Sequence, residues 1–505
     1  MEPTGDGAPL MTPSEQLSLW VTRDPKRPAI ITAEGSLTYE DLYDKAMALA
    51  AVFSAKKTAN GPQVTPILVD NSLDSMLVSI SAIIGGASFA LLSSAIDSTT
   101  QQEILTTLNS QLPVIVPDGV PTDSLPPGQE RRGVSETVSS DRSRRHPPGE
   151  PGFIVFFSSG TTGSPKGVVS TWSRTLARAQ ARQGIHPRGQ GSETILSFSP
   201  IHFSFGFGHL INVFLGSTVC FVDLQSTSLT NVLNLAREID VTRAFLIPST
   251  ARLIGRHVRA TGAHLASLNS IEVTGEALRW EDLRDVRNLG RLDTRFVLGI
   301  SATESALYFW CDFDAKNLPL SGPTPLGYPA RDDVQLIPHA TLSDDTAVSE
   351  VLTSSLLAQS YWNDEKLDGE KFLVDATGKR WWNSGDLVTK GNDGLYYHAG
   401  RVDDMVKIRG HQVHLAQVEE RLLALEGVGQ AVILVSQDNS LEAHLVPEPN
   451  KSLDPEGVRR QIGSLLPAHM HSRTIIIHQK LPLTERGKVD RKALRQSTVA
   501  AEEMP

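Results

Sequence analysis

From Phe156 to Val169 the chain reads Phe-Phe-Ser-Ser-Gly-Thr-Thr-Gly-Ser-Pro-Lys-Gly-Val-Val, an apolar strand running into a loop of glycine and hydroxyl residues. Gly160 and Gly163 let successive backbone N–H groups converge on an anion. Ser158, Ser159, Thr161 and Thr162 add hydroxyl donors, and Lys166 supplies a point charge. The stretch is therefore expected to grip a polyphosphate. It is not a Walker P-loop, because that motif ends in Gly-Lys-Ser/Thr, whereas Pro165 precedes Lys166 here and Gly167 follows it.

Around this loop, short apolar runs alternate with helical patterns. Strands are expected at 29–32, 66–69 and 88–92, with one helix capped by Thr38 and another, bearing an apolar face, from Asp74 to Ile84. Alternation of this kind predicts an α/β fold. With 505 residues the chain exceeds the roughly 250–300 residues that one core supports, so a large and a small domain are expected. From Asp118 to Gly152 the sequence is aperiodic and rich in Pro, Gly, Ser and Arg, which reads as a solvated, mobile loop.

A formal charge of −10 argues against a nucleic-acid-binding surface. Two cysteines, Cys220 and Cys311, form no disulfide framework and read as core residues of a reduced, cytoplasmic protein. The first ten residues lack a secretory pattern. The longest apolar run, Met76 to Leu92, is broken by serines and glycines and is shorter than the roughly 20 residues a membrane span needs.

The loop Ser-Ser-Gly-Thr-Thr-Gly-x-Pro-Lys-Gly resembles the signature of the adenylate-forming superfamily. That superfamily includes acyl-CoA synthetases and peptide-synthetase adenylation domains. Further stretches resemble its motifs in the expected order. They are Leu37 to Leu42, Thr274-Gly275-Glu276-Ala277, Ser301-Ala302-Thr303-Glu304, Ser384-Gly385-Asp386, Gly400 to Gly410 and Leu481 to Arg491.

The resemblance implies a large N-terminal domain of mixed, largely parallel sheets with helices, spanning 1–401. A small, mobile α+β lid would span 402–505. It also implies roles. Gly275, Glu276, Ala277, Ile300 and Ser301 would lie against the adenine, although the family has an aromatic and a glycine where Ile300 and Ser301 stand. Thr303 would contact the α-phosphate, Glu304 would hold Mg²⁺, Asp386 would accept from the ribose hydroxyls, and Arg401 would bond ribose or phosphate. Asp403 falls on the hinge, Gly410 on the thiol channel, and Lys488 on the catalytic lysine of the terminal loop.

By the same resemblance, the acyl pocket is assigned to His202, Phe203, Phe207 and Gly275. Phe203 takes the place where the family often has a gating histidine. Between Pro200 and Gly216 there is no acidic residue. Burying a substrate ammonium without a carboxylate is costly, so an aliphatic or aromatic acid is expected rather than an ordinary α-amino acid. The cosubstrates implied are ATP with Mg²⁺ and a pantetheine thiol. The motif forms favour a separate acyl or peptidyl carrier protein as acceptor, with free CoA as the alternative and a non-catalytic nucleotide-binding homologue as a third reading. As the sequence stops at Pro505 after a short polar tail, a freestanding enzyme is expected.

Overall fold

The computed structural model describes residues 11–53, 57–58, 61–134, 152–159, 165–186, 193–224, 226–275, 278–330, 333–341, 347–402, 405–408, 411–436, 438–448, 451–482, 489–491 and 493–495. Its packing divides into two compact units. One comprises Met1–Asp333 with Ser354–Trp382, the other Val334–Thr353 with Asn383–Pro505. The domain boundary expected at 401/402, with its pivot at Asp403, concerns motion rather than packing and stands as a proposal.

The first unit contains two large sheets. In the nine-stranded sheet, Pro28–Thr32, Thr218–Phe221, Thr194–Ser197, Arg243–Leu246, Ser270–Val273 and Arg295–Ala302 lie side by side and parallel. Antiparallel strands finish both of its edges. In the seven-stranded sheet, Phe153–Ser159, Ser88–Ser93, Val64–Val69, Val114–Val116 and Arg131–Gly133 are parallel; Pro165–Thr171 runs antiparallel to Phe153–Ser159, and Ser360–Tyr361 antiparallel to Pro165–Thr171.

The pleat explains why these strands read as near-continuous apolar runs. Ile67, Val69, Phe89, Leu91, Ile154 and Phe156 enter one core, together with Ile30, Ile195, Val219 and Phe221 of the other sheet. Their neighbours in sequence point the opposite way. Leu68, Ala90, Leu92, Val155 and Phe157 enter a second core, and Ile31, Leu196, Cys220, Ala244 and Leu246 a third. Helices Tyr39–Ala50 and Leu73–Ile84 contribute to the core that the two sheets share.

Helix Leu73–Ile84 is buried from Ser75 to Ile84, because it is enclosed by that shared core. Its serines fit there because Ser79 and Ser81 donate to the carbonyls of Ser75 and Leu77, at 2.7 and 2.6 Å. The Asp118–Gly152 stretch is not wholly a solvated loop. Val120, Leu125 and Val134 are buried, and Arg131–Gly133 adds a parallel edge strand whose two arginines face water and hide the pattern; residues 135–151 lie outside the described residues. Helix Pro248–Thr261 stops at left-handed Gly262. Pro165–Thr171 is a strand, and the helix that follows it starts at Trp172.

In the second unit, Val428–Val435, Leu441–Pro447 and Ser472–Ile477 form a three-stranded sheet. Helices Leu415–Leu423 and Pro455–Leu465 pack on it through Val418, Leu422, Val458 and Ile462 against Ile433 and Leu445. Asp454 caps the second helix, accepting from the backbone N–H groups of Glu456 and Gly457. Both cysteines are buried, and burial pushes the Cys220 thiol up to about 12. Among the described residues no helix is long and apolar enough to cross a membrane.

Candidate active site

The strands that flank the loop expected to grip polyphosphate form a hairpin. Strand Phe153–Ser159 pairs antiparallel with Pro165–Thr171, which places Ser158 opposite Lys166 and Ser159 opposite Pro165. Gly160, Thr161, Thr162 and Gly163 lie outside the described residues. On its other side the returning strand pairs with Ser360–Tyr361, and Val168 is opposite Tyr361.

That pairing matters for Glu304. The Tyr361 hydroxyl donates to Glu304 Oε1 at 2.9 Å and accepts from Trp382 Nε1 at 3.2 Å. Burial and the Glu304 charge both raise the phenol's pKa, so it stays a donor at neutral pH. Thr303 and Glu304 occupy the turn between strands Arg295–Ala302 and Ser305–Asp314. Thr303 Oγ1 lies 2.9 Å from Ser204 Oγ, and the Thr303 carbonyl accepts from Arg178 Nη1 at 2.8 Å. Arg178 Nε also donates to the Leu356 carbonyl at 2.8 Å. Burial lowers the Arg178 guanidinium to about 10, a shift that the nearby Glu304 carboxylate opposes.

Among the described residues no group of three or more His, Cys, Asp or Glu side chains could cage a metal. The donor set still fits Mg²⁺, which is usually held by one or two carboxylates together with substrate phosphates. Glu304 is the carboxylate available for that arrangement.

The pocket residues are placed unevenly. Phe203 is partly exposed at the N-cap of helix Ser204–Leu210, and its ring centroid lies 3.9 Å from that of His202. Phe207 is fully buried in the core, edge-on to Phe156 at 5.5 Å and tilted against Phe89 at 6.1 Å, because the first turn of the helix turns inward. That turn approaches closely enough that a Cβ at Gly206 would fall 2.1 Å from the Pro200 carbonyl. Gly275 has a φ of +105°, which an L side chain rarely adopts. Glu276 and Ala277 lie outside the described residues.

Between these elements sits a charged cluster that the sequence reading missed. Glu272, wholly buried on strand Ser270–Val273, accepts from Arg182 through Oε1 and lies 2.9 Å from His186 Nε2 through Oε2. His186 Nδ1 lies 3.0 Å from Ser270 Oγ. Arg182 Nη2 donates to Ser301 Oγ at 3.3 Å, and its guanidinium lies 5.0 Å from the Phe205 ring centroid. Ile300 is paired with Phe309 beside a register shift. A signal was present. A carboxylate inside the apolar run Ile271-Glu272-Val273 needs a buried partner.

Burial would raise the Glu272 pKa, but Arg182 and His186 outweigh it and bring the carboxyl to about 2. Burial brings His186 down to about 4, and it holds His209 well below the usual range. Each histidine is therefore neutral in the fold and takes up a proton on unfolding. Between about pH 6.5 and pH 4 this costs stability as pH falls, by up to ~1.4 kcal/mol per pH unit for each group. The Glu272 contribution is full above its unfolded pKa and declines as pH falls from about 4.5 towards 2. Denaturant midpoints at pH 7.5, 5.5 and 4.5 are expected to drop steadily; equal midpoints would contradict the buried neutral histidines.

In the second unit, Asp386 and Arg401 are directly opposed on strands Arg380–Lys390 and Tyr396–Arg401. Arg401 Nη1 donates to Asp386 Oδ1 at 2.9 Å, Nη2 donates to the Ser384 carbonyl at 3.1 Å, and His398 Nε2 lies 3.4 Å from Asp386 Oδ1. The two residues expected to contact ribose are thus neighbours. Asp403, Gly410 and Lys488 lie outside the described residues, but the flanks of the terminal loop are fixed. The Asp490 N–H donates to the Pro482 carbonyl at 2.8 Å. Arg491 donates to Glu419 Oε1 at 2.6 Å and to the Ile433 carbonyl at 2.7 Å.

A family profile described as AMP-binding enzyme matches residues 17–337. Zwittermicin A synthase ZmaJ of Bacillus cereus is 26% identical over 507 residues, covering 94% of this chain and 93% of ZmaJ. Bacitracin synthase 3 of Bacillus licheniformis is 26% identical over 494 residues, and there the chain spans only 8% of the relative's length. Klebsiella oxytoca NpsA in complex with 3-hydroxyanthranilyl-AMSN has the same fold, with a TM-score of 0.78 at 20% identity over 97% of this chain and 100% of NpsA. With more than half of its length matched by the profile, and the motif residues on one fold in the order that family uses, the chain belongs to the AMP-binding enzymes of the adenylate-forming superfamily.

Proposed function

We propose that the chain activates an uncharged-side-chain aliphatic or aromatic carboxylic acid as its acyl-adenylate and passes the acyl group to the phosphopantetheine thiol of a separate carrier protein. The observation that carries this is the Thr303–Glu304 turn. Both side chains are already fixed, by Ser204 and Tyr361, next to elements assigned to the acyl pocket. A carboxylate is a poor electrophile because oxide would have to leave. Exchange for AMP supplies a good leaving group.

In the first step a carboxylate oxygen attacks the α-phosphorus of ATP, and the bond to pyrophosphate breaks. Ser158, Ser159, Thr161, Thr162 and Lys166 hold the departing phosphates, Thr303 donates to the α-phosphate, and Asp386 and Arg401 bind the ribose. Mg²⁺ held by Glu304 and phosphate oxygens would neutralise part of the charge that builds up there. Lys488 bridges the two anions that must meet. A mobile lid, 402–505, pivoting at Asp403, brings that charge in and withdraws it. Gly410 then flanks the path of the thiol, which attacks the adenylate carbonyl and expels AMP.

Two features support a carrier protein over CoA. The forms of the Lys407–Gly410 and Leu481–Arg491 motifs resemble adenylation domains, and the relatives ZmaJ and bacitracin synthase 3 are named as synthases. The aryl group in the NpsA complex supports the aromatic side of the substrate range. The test is loading of the best acid on holo carrier protein and on CoA, each under the same adenylation conditions. Thioester on the carrier in clear excess is expected; faster transfer to CoA would replace this reading with a CoA ligase.

A further inference from the structure

We propose that Arg182 determines substrate specificity, its N–H groups binding a neutral oxygen substituent, a hydroxyl or carbonyl, placed on the acid remote from its carboxylate. The inference rests on the acid-activation reading and adds a polar requirement to it. Arg182 is clamped from one side by Glu272 and reaches Ser301 on the other, two residues before Thr303. Its flat guanidinium lies over Phe205, and Phe205 adjoins Ser204, which contacts Thr303. Arg182 therefore sits between the two segments assigned to the acyl pocket, within a short span of the reacting turn.

Three features decide the chemistry. First, Arg182 has five N–H donors, of which Glu272 and Ser301 engage two, and no partner meets Nε among the described residues. Second, Glu272 is buried and already bonds Arg182 and His186 through its two oxygens, so its charge is compensated within the fold rather than held for a substrate ammonium. Third, Glu272 offsets the Arg182 charge, which favours a dipolar oxygen over a second full anion. The surrounding wall is aromatic. Phe205 packs on His209 at 4.4 Å, His209 stacks on Phe245 at 3.9 Å, and His209 Nε2 is buried with no hydrogen-bond partner among the described residues. An arginine in such a wall selects an oxygenated acid over its plain parent, because a parent leaves N–H groups desolvated and unpaired.

The probes are stable acyl-adenylate mimics, N-acylsulfamoyl adenosines, carrying benzoyl, 2-, 3- or 4-hydroxybenzoyl, hexanoyl or 6-hydroxyhexanoyl groups. Binding is read by calorimetry with the full chain. At least one hydroxylated mimic is expected to bind about tenfold or more tighter than its parent. In R182M/E272Q, which removes the guanidinium without leaving a bare buried carboxylate, that advantage should fall to within about twofold, whereas affinity for the parent should change less than about threefold. R182K should give an intermediate advantage, since lysine keeps the charge and loses the fork. An advantage that survives in R182M/E272Q, or parents and hydroxylated mimics bound equally by the wild type, would overturn the role of Arg182 while leaving acid activation intact. Binding of none of the mimics would instead remove the acid-activation reading on which the proposal rests.

Discussion

Lys488→Ala is expected to lower adenylate formation by roughly 10²–10³-fold while transfer from a supplied acyl-adenylate to the thiol stays within a few-fold of wild type. The asymmetry follows from charge. In the first half-reaction a carboxylate approaches a triphosphate, and a cation placed between them is worth most at the moment of attack. In the second, the electrophile is already a neutral acyl carbonyl and AMP leaves with its own charge. The fixed flanks of the loop, closed by the Asp490–Pro482 bond and held by Arg491 on Glu419, make a fold-wide effect of the substitution unexpected. Single-turnover measurement of each half-reaction separates the outcomes. Equal loss in both halves would show that Lys488 does not act in adenylation specifically.

Glu272→Leu should produce the largest loss of stability, about 3–5 kcal/mol, because it leaves the Arg182 charge partly buried and His186 without its acceptor. In the fold the Arg182 side chain is 17% exposed and that of Glu272 1%. Leucine fills similar volume, so the loss is electrostatic rather than a cavity. Replacing both members, as R182M/E272L, should recover most of it, since exchange of a buried ion pair for apolar groups is often neutral or stabilising. Urea midpoints of the two singles and the double test this coupling. Additive losses would mean that the two side chains do not depend on each other.

What the sequence makes legible follows from how local the signal is. The parallel sheets could be expected because strands covered on both faces read as continuous apolar runs, as in Ile154-Val155-Phe156-Phe157, where alternate residues feed different cores. Asp386 and Arg401 were found through motifs, and hairpin register then makes them neighbours. Tyr361 and Ser204 carry no motif. Their partners Glu304 and Thr303 are 57 and 99 residues away in the chain, so only the fold joins them. The core burial of Phe207 was not legible, because alternation of aromatics cannot show which ring a short helix turns inward. The Arg178 and Arg182 spacing of four residues was visible, but their task is set by what the helix faces.

The central claim is acid-dependent adenylation, and exchange of labelled pyrophosphate into ATP reads it directly. Screened over aliphatic, aromatic, hydroxylated and α-amino acids, exchange is expected with an uncharged-side-chain acid bearing a distal hydroxyl or carbonyl, and little above background with ordinary α-amino acids. Exchange strongest with an ordinary α-amino acid would contradict the substrate reading, and ATP binding without exchange for any acid would contradict catalysis itself.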